Sequence, residues 1–175
     1  VSANITPAGV GTWTDGELYR AITSGIGKDG RALFPVMPYL NYGKMDKEDI
    51  FSIIAYIRTL PGKEKAIPAP ETDFPMSIII NTIPKAPEHQ TIPDKSDVLA
   101  YGKYIANASG CAECHTPVEQ GQLIEGMTNA GGREFKLPFG LLRTPNLTPD
   151  PETGIGLWTK EQFIERFKSY LPEHY

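Results

Sequence analysis

Two thiols and an imidazole fall within five consecutive positions, Cys111-Ala112-Glu113-Cys114-His115, and these are the only two cysteines among 175 residues. Three chemistries use such a set. A redox-active dithiol belongs at a strand-to-helix junction of a βαβ unit, and no such unit is legible around Cys111. Structural zinc takes four protein ligands. Beyond His115 the sequence offers only His89 and His174 as further imidazoles, and no second cysteine pair. The third chemistry is covalent attachment of haem. Thiols three positions apart reach two vinyl groups on adjacent pyrrole rings and form thioethers, and the neighbouring imidazole turns under the ring to hold the iron. That reading uses all three side chains. It makes Cys111, Cys114 and His115 the expected haem-binding residues and His115 the expected metal ligand.

Iron held this way usually takes a sixth ligand, and Met37 is the candidate. It lies in Leu33-Phe34-Pro35-Val36-Met37-Pro38-Tyr39. A thioether is a soft, neutral ligand that favours reduced iron and raises the potential. Pro35 and Pro38 stiffen the loop that would present it. The alternative is that Met37 fills a gap in the core. Met45, Met76 and Met127 lack the proline brackets and are expected in packing or at the surface.

An internal repeat organises the elements around these residues. Asn4-Ile5-Thr6-Pro7 matches Asn146-Leu147-Thr148-Pro149, and Gly9-Val10-Gly11-Thr12-Trp13-Thr14 matches Gly154-Ile155-Gly156-Leu157-Trp158-Thr159. The offsets are 146 − 4 = 142 and 158 − 13 = 145, so the second copy holds three extra loop residues. Self-similarity at so long a period means tandem domains, since solenoid repeats run roughly 20–50 residues. Neither copy is whole. The offset places the first copy's attachment motif about 31 to 34 residues before Val1, and the second copy's Met about 4 to 7 residues past Tyr175. With Val1 rather than Met at the start, the sequence reads as a processed or excised piece. Met37 then serves a haem attached ahead of Val1, and flanking residues complete both sites. The alternative is that the two halves complete one another.

Four helices are predicted. Thr14 and Glu17 form a capping box ahead of Leu18, Ala21 and Ile22. Thr159 and Gln162 repeat it ahead of Phe163, Ile164 and Phe167. Asp46 caps a helix whose apolar residues Ile50, Phe51, Ile53, Ile54 and Ile57 follow helical spacing, and Pro61-Gly62 ends it. Ser96 caps a fourth helix, Asp97 to about Ala108. Seven prolines between Pro61 and Lys95 predict a stiff, extended linker, in which Met76 to Ile80 forms a short strand or a surface strap. Glu119 to Gly140 is Gly-rich and expected to be irregular. The longest apolar run, Ile53-Ile54-Ala55-Tyr56-Ile57, is far short of a membrane span. A formal net charge of −4 argues against nucleic acid.

Taken together these residues resemble the bacterial class I cytochrome c superfamily. The likeness is greatest to the tandem-domain, di-haem cytochromes that act as cytochrome subunits of periplasmic dehydrogenases. It is carried by Tyr101-Gly102-Lys103-Tyr104-Ile105-Ala106 leading into Cys111 to Pro117, by Gly131-Gly132, and by the two copies of the repeat. Gly25 to Arg31, Met37-Pro38-Tyr39 and Ala55-Tyr56-Ile57-Arg58-Thr59-Leu60 add to it. The resemblance implies an all-α fold of two cytochrome c-like domains, each incomplete in this chain, joined by the Pro-rich linker. Residues 1–61 would be the back half of one domain, 62–95 the linker, and 96–175 the front half of the next. Trp13 and Trp158 would lie at a haem edge, their alternative being core aromatics at helix starts. Asn146, like Asn4, would shape the haem-side loop, the alternative being plain turn chemistry.

The function implied is electron transfer through covalently bound haem c, two per complete protein with one attachment site in this chain. Such a protein is a carrier, not itself an enzyme. Its partners would be redox proteins: a dehydrogenase, an oxidase or another cytochrome. Any membrane-complex association would run through other subunits, and the location would be periplasmic or otherwise extracytoplasmic. One alternative is a peroxidase-like haem enzyme with an open iron position. Another is a docking subunit whose haem is incidental.

Overall fold

A computed structural model describes residues 2–169. His174, one of the imidazoles weighed above, lies outside them. The chain divides into two compact units, Val1–Ser109 and Gly110–Tyr175.

The first unit is helical: α1 Pro7–Val10, α2 Asp15–Ser24, α3 Tyr39–Tyr42, α4 Lys47–Thr59, α5 Met76–Ile79 and α6 Val98–Ala108. The capping box at α2 forms as its sequence predicts: Glu17 N–H donates to the Thr14 hydroxyl at 3.2 Å and Thr14 N–H to the Glu17 carboxylate at 2.7 Å. Gly25 closes α2 with φ 71, a left-handed conformation that glycine adopts without strain. Asp46 caps α4 by accepting from Glu48 N–H at 3.0 Å. That bond and one from Ile92 N–H hold the Asp46 carboxyl below its usual range. The core gathers Leu18 of α2, Met45, Ile50 and Ile54 of α4, and Tyr104 of α6. Fully burying one such aliphatic side chain contributes about 1.5–3 kcal/mol.

The helix α6 is held by polar bonds as well as by packing. The Tyr104 hydroxyl donates to the Asp49 carboxylate and accepts from Asp46 N–H at 3.0 Å. Asn107 Nδ2 donates to the Asn41 carbonyl at 3.2 Å. Burial and the bond to Asp49 push the Tyr104 phenol up to about 12.

The Pro-rich segment between α4 and α6 has no regular secondary structure for most of its length. Met76 to Ile79 turn into α5 rather than a strand, followed by a 3-10 turn at Ile80–Thr82 that buries Ile80. The segment docks on the first unit at both ends. Asn4 Nδ2 donates to the Lys63 carbonyl at 2.8 Å, Gln90 N–H to Lys44 at 3.1 Å and Ile92 N–H to Asp46 at 3.0 Å. The His89 ring bridges the Tyr19 hydroxyl through Nε2 and the Met45 carbonyl through Nδ1.

The second unit corrects the expectation of an all-α fold. It holds α7 Cys111–His115 and α8 Lys160–Lys168, but also four strands. Strand β1 Val118–Glu119 pairs antiparallel with β2 Gln122–Leu123, and β3 Glu134–Leu137 with β4 Gly140–Arg143. The stretch from Glu119 to Gly140, expected to be irregular, thus holds most of two hairpins. Two successive positive φ values, 51 at Gln120 and 82 at Gly121, make the tight first turn. Leu137 pairs with Gly140, which leaves Pro138-Phe139 as the second turn. Among the described residues no helix is long and apolar enough to cross a membrane.

Both copies of the repeat fold alike locally. Thr6 N–H donates to Asn4 Oδ1 at 3.0 Å, and Thr148 N–H to Asn146 Oδ1 at 2.8 Å. A Cβ on Gly9 would collide with the Asn4 carbonyl oxygen, and one on Gly154 with the Thr148 carbonyl oxygen. Backbone passes too close for any side chain at either glycine.

Two outcomes are expected. The unfolded chain loses a tyrosine proton near its ordinary pKa of 10, whereas folded Tyr104 keeps its proton to about 12. Its contribution is therefore complete below pH 10 and is lost as pH rises toward 12. Tyr104→Phe should cost about 1.5–3 kcal/mol at neutral pH and flatten the alkaline loss, read by denaturant melts across pH. His89→Ala removes two bonds of about 1 kcal/mol each, so limited proteolysis near residues 84–95 should speed roughly tenfold or more.

Candidate functional site

The attachment motif is itself a helical turn. Gly110, at φ 67, breaks from α6 and opens α7. Positions three apart on a helix share a face, so Cys111 and Cys114 stand on the same side of the turn. Cys111 is half-buried, Cys114 is exposed, and neither is in a disulfide.

The His115 ring is fixed from behind. Its Nδ1 lies 2.8 Å from the Pro145 carbonyl oxygen. A carbonyl only accepts, so Nδ1 is the donor, and in the neutral ring this leaves the lone pair on Nε2. The backbone around Pro145 is built to hold that carbonyl in place. Gly131 N–H donates to the His115 carbonyl at 2.7 Å. Gly131 has φ 76, and a Cβ on it would lie 2.6 Å from both Pro145 C and Asn146 N. Gly132 N–H donates to the Thr144 carbonyl at 2.8 Å, and Thr144 N–H returns to the Arg133 carbonyl at 3.1 Å. The Arg133 guanidinium donates to the Glu113 carbonyl inside the motif and lies 5.4 Å from the Phe135 ring centre. Thr116 is 1% exposed and its hydroxyl accepts from Asn129 N–H at 3.0 Å.

Asn146 follows Pro145 directly. Its Oδ1 accepts from Thr148 N–H and its Nδ2 donates to the Thr153 hydroxyl at 2.9 Å. Its side chain shapes the loop that carries Pro145. Trp158 is half exposed ahead of the Thr159 cap of α8, and its N–H donates to the Ile155 carbonyl at 3.0 Å. The structure thus brings Cys111, Cys114, His115 and the Asn146 loop together in the second unit.

Met37 and Trp13 belong to the first unit. Met37 is half-buried in the loop before α3, and its carbonyl accepts from Tyr39 N–H at 2.8 Å. Trp13 packs against the core, and its carbonyl accepts from Arg58, which also grips Asp15 at 2.8 Å. Met45 is buried, while Met76 and Met127 are partly exposed.

The donor set fits haem c: two thiols on one turn and an imidazole whose Nε2 is left free. Zinc is poorly served, since no group of three or more His, Cys, Asp and Glu comes together among the described residues. Thr116 is the only buried side chain among the described residues of the second unit, while Leu141, Leu142, Trp158, Phe163 and Phe167 stand exposed. A porphyrin is a large apolar surface that such side chains suit. In the first unit the Tyr39 hydroxyl is buried without a hydrogen-bond partner among the described residues.

No family model matches the chain. Its relatives are informative. It is 31% identical over 188 aligned positions to the cytochrome c subunit of a quinone-type alcohol dehydrogenase of Gluconacetobacter polyoxogenes, covering 99% of this chain and 40% of the relative. It is 30% identical over 190 positions to the fructose dehydrogenase cytochrome subunit of Gluconobacter japonicus, covering 99% of this chain and 37% of the relative. It is 29% identical over 159 positions to a diheme cytochrome c-type protein of Cereibacter sphaeroides, covering 85% and 53%. The chain belongs to the bacterial cytochrome c superfamily and is homologous to the cytochrome c subunits of dehydrogenases. It spans about two fifths of the length of the first of these relatives.

Sequence reasoning assigned no role of their own to Pro145, Gly131, Arg133 and Arg58. Pro145 acts through a backbone carbonyl, which leaves no mark on residue type. Gly131 was noticed as part of Gly131-Gly132, but only the fold shows which of the pair is crowded. This yields a comparison. Both glycines have positive φ, 76 and 82, yet a Cβ on Gly132 meets nothing within 4 Å. Gly131→Ala should displace Pro145 and cut the yield of haem-loaded protein, read as Soret absorbance per protein. Gly132→Ala should cost only the backbone strain, about 1–2 kcal/mol.

Proposed function

We propose that the chain is part of an electron carrier that binds haem c at Cys111 and Cys114 with His115 as axial ligand, and that it relays electrons from a periplasmic dehydrogenase to a terminal acceptor. The observation that carries this reading is the 2.8 Å bond from His115 Nδ1 to Pro145. It leaves a single oriented lone pair on Nε2 beside two thiols on one helical turn. When bound, the haem supplies one-electron exchange between ferric and ferrous iron. The thiols tether it, His115 orients it, and Pro145 sets the imidazole's basicity through Nδ1. Met37 is the axial ligand of a second haem whose attachment motif lies outside this chain. Its thioether favours ferrous iron. Trp13, Trp158 and Asn146 are the further residues expected at the haem edges.

The relatives support this reading by what their names say of them: cytochrome subunits of alcohol and fructose dehydrogenases, and a diheme cytochrome. The partner is then a dehydrogenase that oxidises its own substrate and passes electrons on. Thioether attachment implies an extracytoplasmic site of assembly.

The test is made on the full-length, haem-loaded protein. Cys111→Ser with Cys114→Ser should lower the measured mass by one haem, and His115→Ala should leave one haem high-spin. A mass unchanged by loss of both thiols would remove the attachment reading. Reduction by the partner dehydrogenase followed in stopped flow should be lost or strongly slowed in the same variants, while substrate oxidation with an artificial acceptor persists.

A further inference from the structure

The segment that joins α4 to α6, residues 61–96, is 97 − 61 = 36 residues long. Left free, a chain of that length has an r.m.s. span of about 30–36 Å. Its far end is not free. The Met45 carbonyl accepts from His89 Nδ1, and in the neutral ring Nε2 then accepts from the Tyr19 hydroxyl, so both ring nitrogens are used. The His89 ring centre lies 5.6 Å from that of Tyr19, which stacks in turn on Phe51 of α4 at 5.5 Å. Gln90 N–H donates to the Lys44 carbonyl at 3.1 Å, and Ile92 N–H to Asp46 Oδ2 at 3.0 Å. Only residues 93–96 remain before the Asp97 cap of α6. Four residues span at most about 14 Å.

The helix α6 closes on the same residue. Asp46 N–H donates to the Tyr104 hydroxyl at 3.0 Å, while Asp46 Oδ1 accepts from Glu48 N–H. One aspartate thus caps α4, holds the strap through its side chain and holds α6 through its backbone. Ala108, the last residue of α6, packs against the core of the first unit. The attachment motif begins three positions further along the chain.

We propose that the strap and α6 form a clasp centred on Asp46, which holds the helix leading into the attachment motif to the unit that carries Met37 and so sets the rate of haem-to-haem electron transfer. His89 is its positioning residue. The inference rests on the reading of two haems, one attached at Cys111 and Cys114 and one ligated by Met37. A clasp closed at Ile92 leaves four residues of tether where the sequence alone suggests 36. Effective concentration falls as roughly the −3/2 power of tether length, so the two cases respond differently to added chain.

The test uses the full-length, haem-loaded protein, with haem-to-haem transfer followed by flash photolysis. A Gly-Ser insertion of about six residues is placed either between Pro70 and Glu71 or between Pro93 and Asp94. With the clasp closed, the insertion after Pro93 should slow transfer about fourfold, and the one after Pro70 should leave it unchanged. A free tether instead predicts the same slowing, about 1.3-fold, from either. His89→Ala opens the strap and should make the Pro70 insertion slow transfer as well. His89→Gln, whose amide offers both a donor and an acceptor, should restore the original pattern. Both midpoints should stay unmoved throughout. Equal effects of the two insertions, no effect of either, or slowing that follows a shifted midpoint overturns the clasp. The mass of the native protein separates the two claims. With two haems present, any of those results sinks the clasp alone. A mass showing a single haem removes the two-haem reading and the clasp's role with it.

Discussion

The bond from His115 Nδ1 to the Pro145 carbonyl is the constraint on which the second unit is organised. An imidazole can ligate a metal through either nitrogen, and a free ring turns about its own bonds. A carbonyl at one nitrogen settles both matters, because it fixes the proton and the ring plane together. The surrounding structure is the means of keeping Pro145 at that distance. Gly131 allows its backbone to come close, the Thr144–Arg133 pairing holds the strand, and Asn146 turns the chain immediately afterwards. The bond from Arg133 to the Glu113 carbonyl joins this framework to the attachment turn from the other side.

The same turn physics appears in both copies of the repeat and does different work in each. In each copy an asparagine side chain caps its own turn, glycine lets backbone cross backbone, and a tryptophan stands one residue before a threonine N-cap. The second copy must also absorb three extra residues. Asp150 does this by accepting from Glu152 N–H, Thr153 N–H and the Thr153 hydroxyl. The same bonds hold its carboxyl below the usual range. An insertion that would otherwise loosen the loop carrying Pro145 is closed on itself, and the Asn146 turn keeps its geometry.

Local signals were legible in the sequence, except that Asp97 and not Ser96 caps α6, accepting from Ala100 N–H at 3.0 Å, and tertiary ones were not. Both capping boxes, the Gly25 stop and the helices at Asp46 and Lys160 could be read because each is settled by neighbours within one turn. The hairpins were missed because glycine richness hides a two-residue turn, and because Glu134-Phe135-Lys136-Leu137 is too short for its alternation to stand out. The role of Pro145 was invisible because a carbonyl belongs to every residue. A surface strap was foreseen only for Met76 to Ile80, where Ile80 is buried; the docking at Lys63 and at His89 to Ile92 was missed because composition predicts stiffness, not adhesion. It took the position of His89 between Tyr19 and Met45 to show that this stretch is strapped down.

The two units bury apolar surface by different means. In the first, α2, α4 and α6 meet around Leu18, Ile50, Ile54 and Tyr104, so the polypeptide is its own partner. In the second, the described residues bury almost nothing, and the order of the backbone comes from turns, short hairpins and the bonds around His115. Hydrogen bonds of this kind contribute only about 0.5–1.5 kcal/mol each, a modest return against the entropy of ordering loops. A covalently tethered porphyrin suits such a unit, because it adds a large apolar face without adding chain to be ordered. Attachment and folding are then coupled, as they are where a bound group completes a site the chain alone does not hold together. On the proposed reading of His115 as axial ligand, that coupling places the carbonyl of Pro145 at the junction of stability and function, since one bond both orders the loop and orients the imidazole.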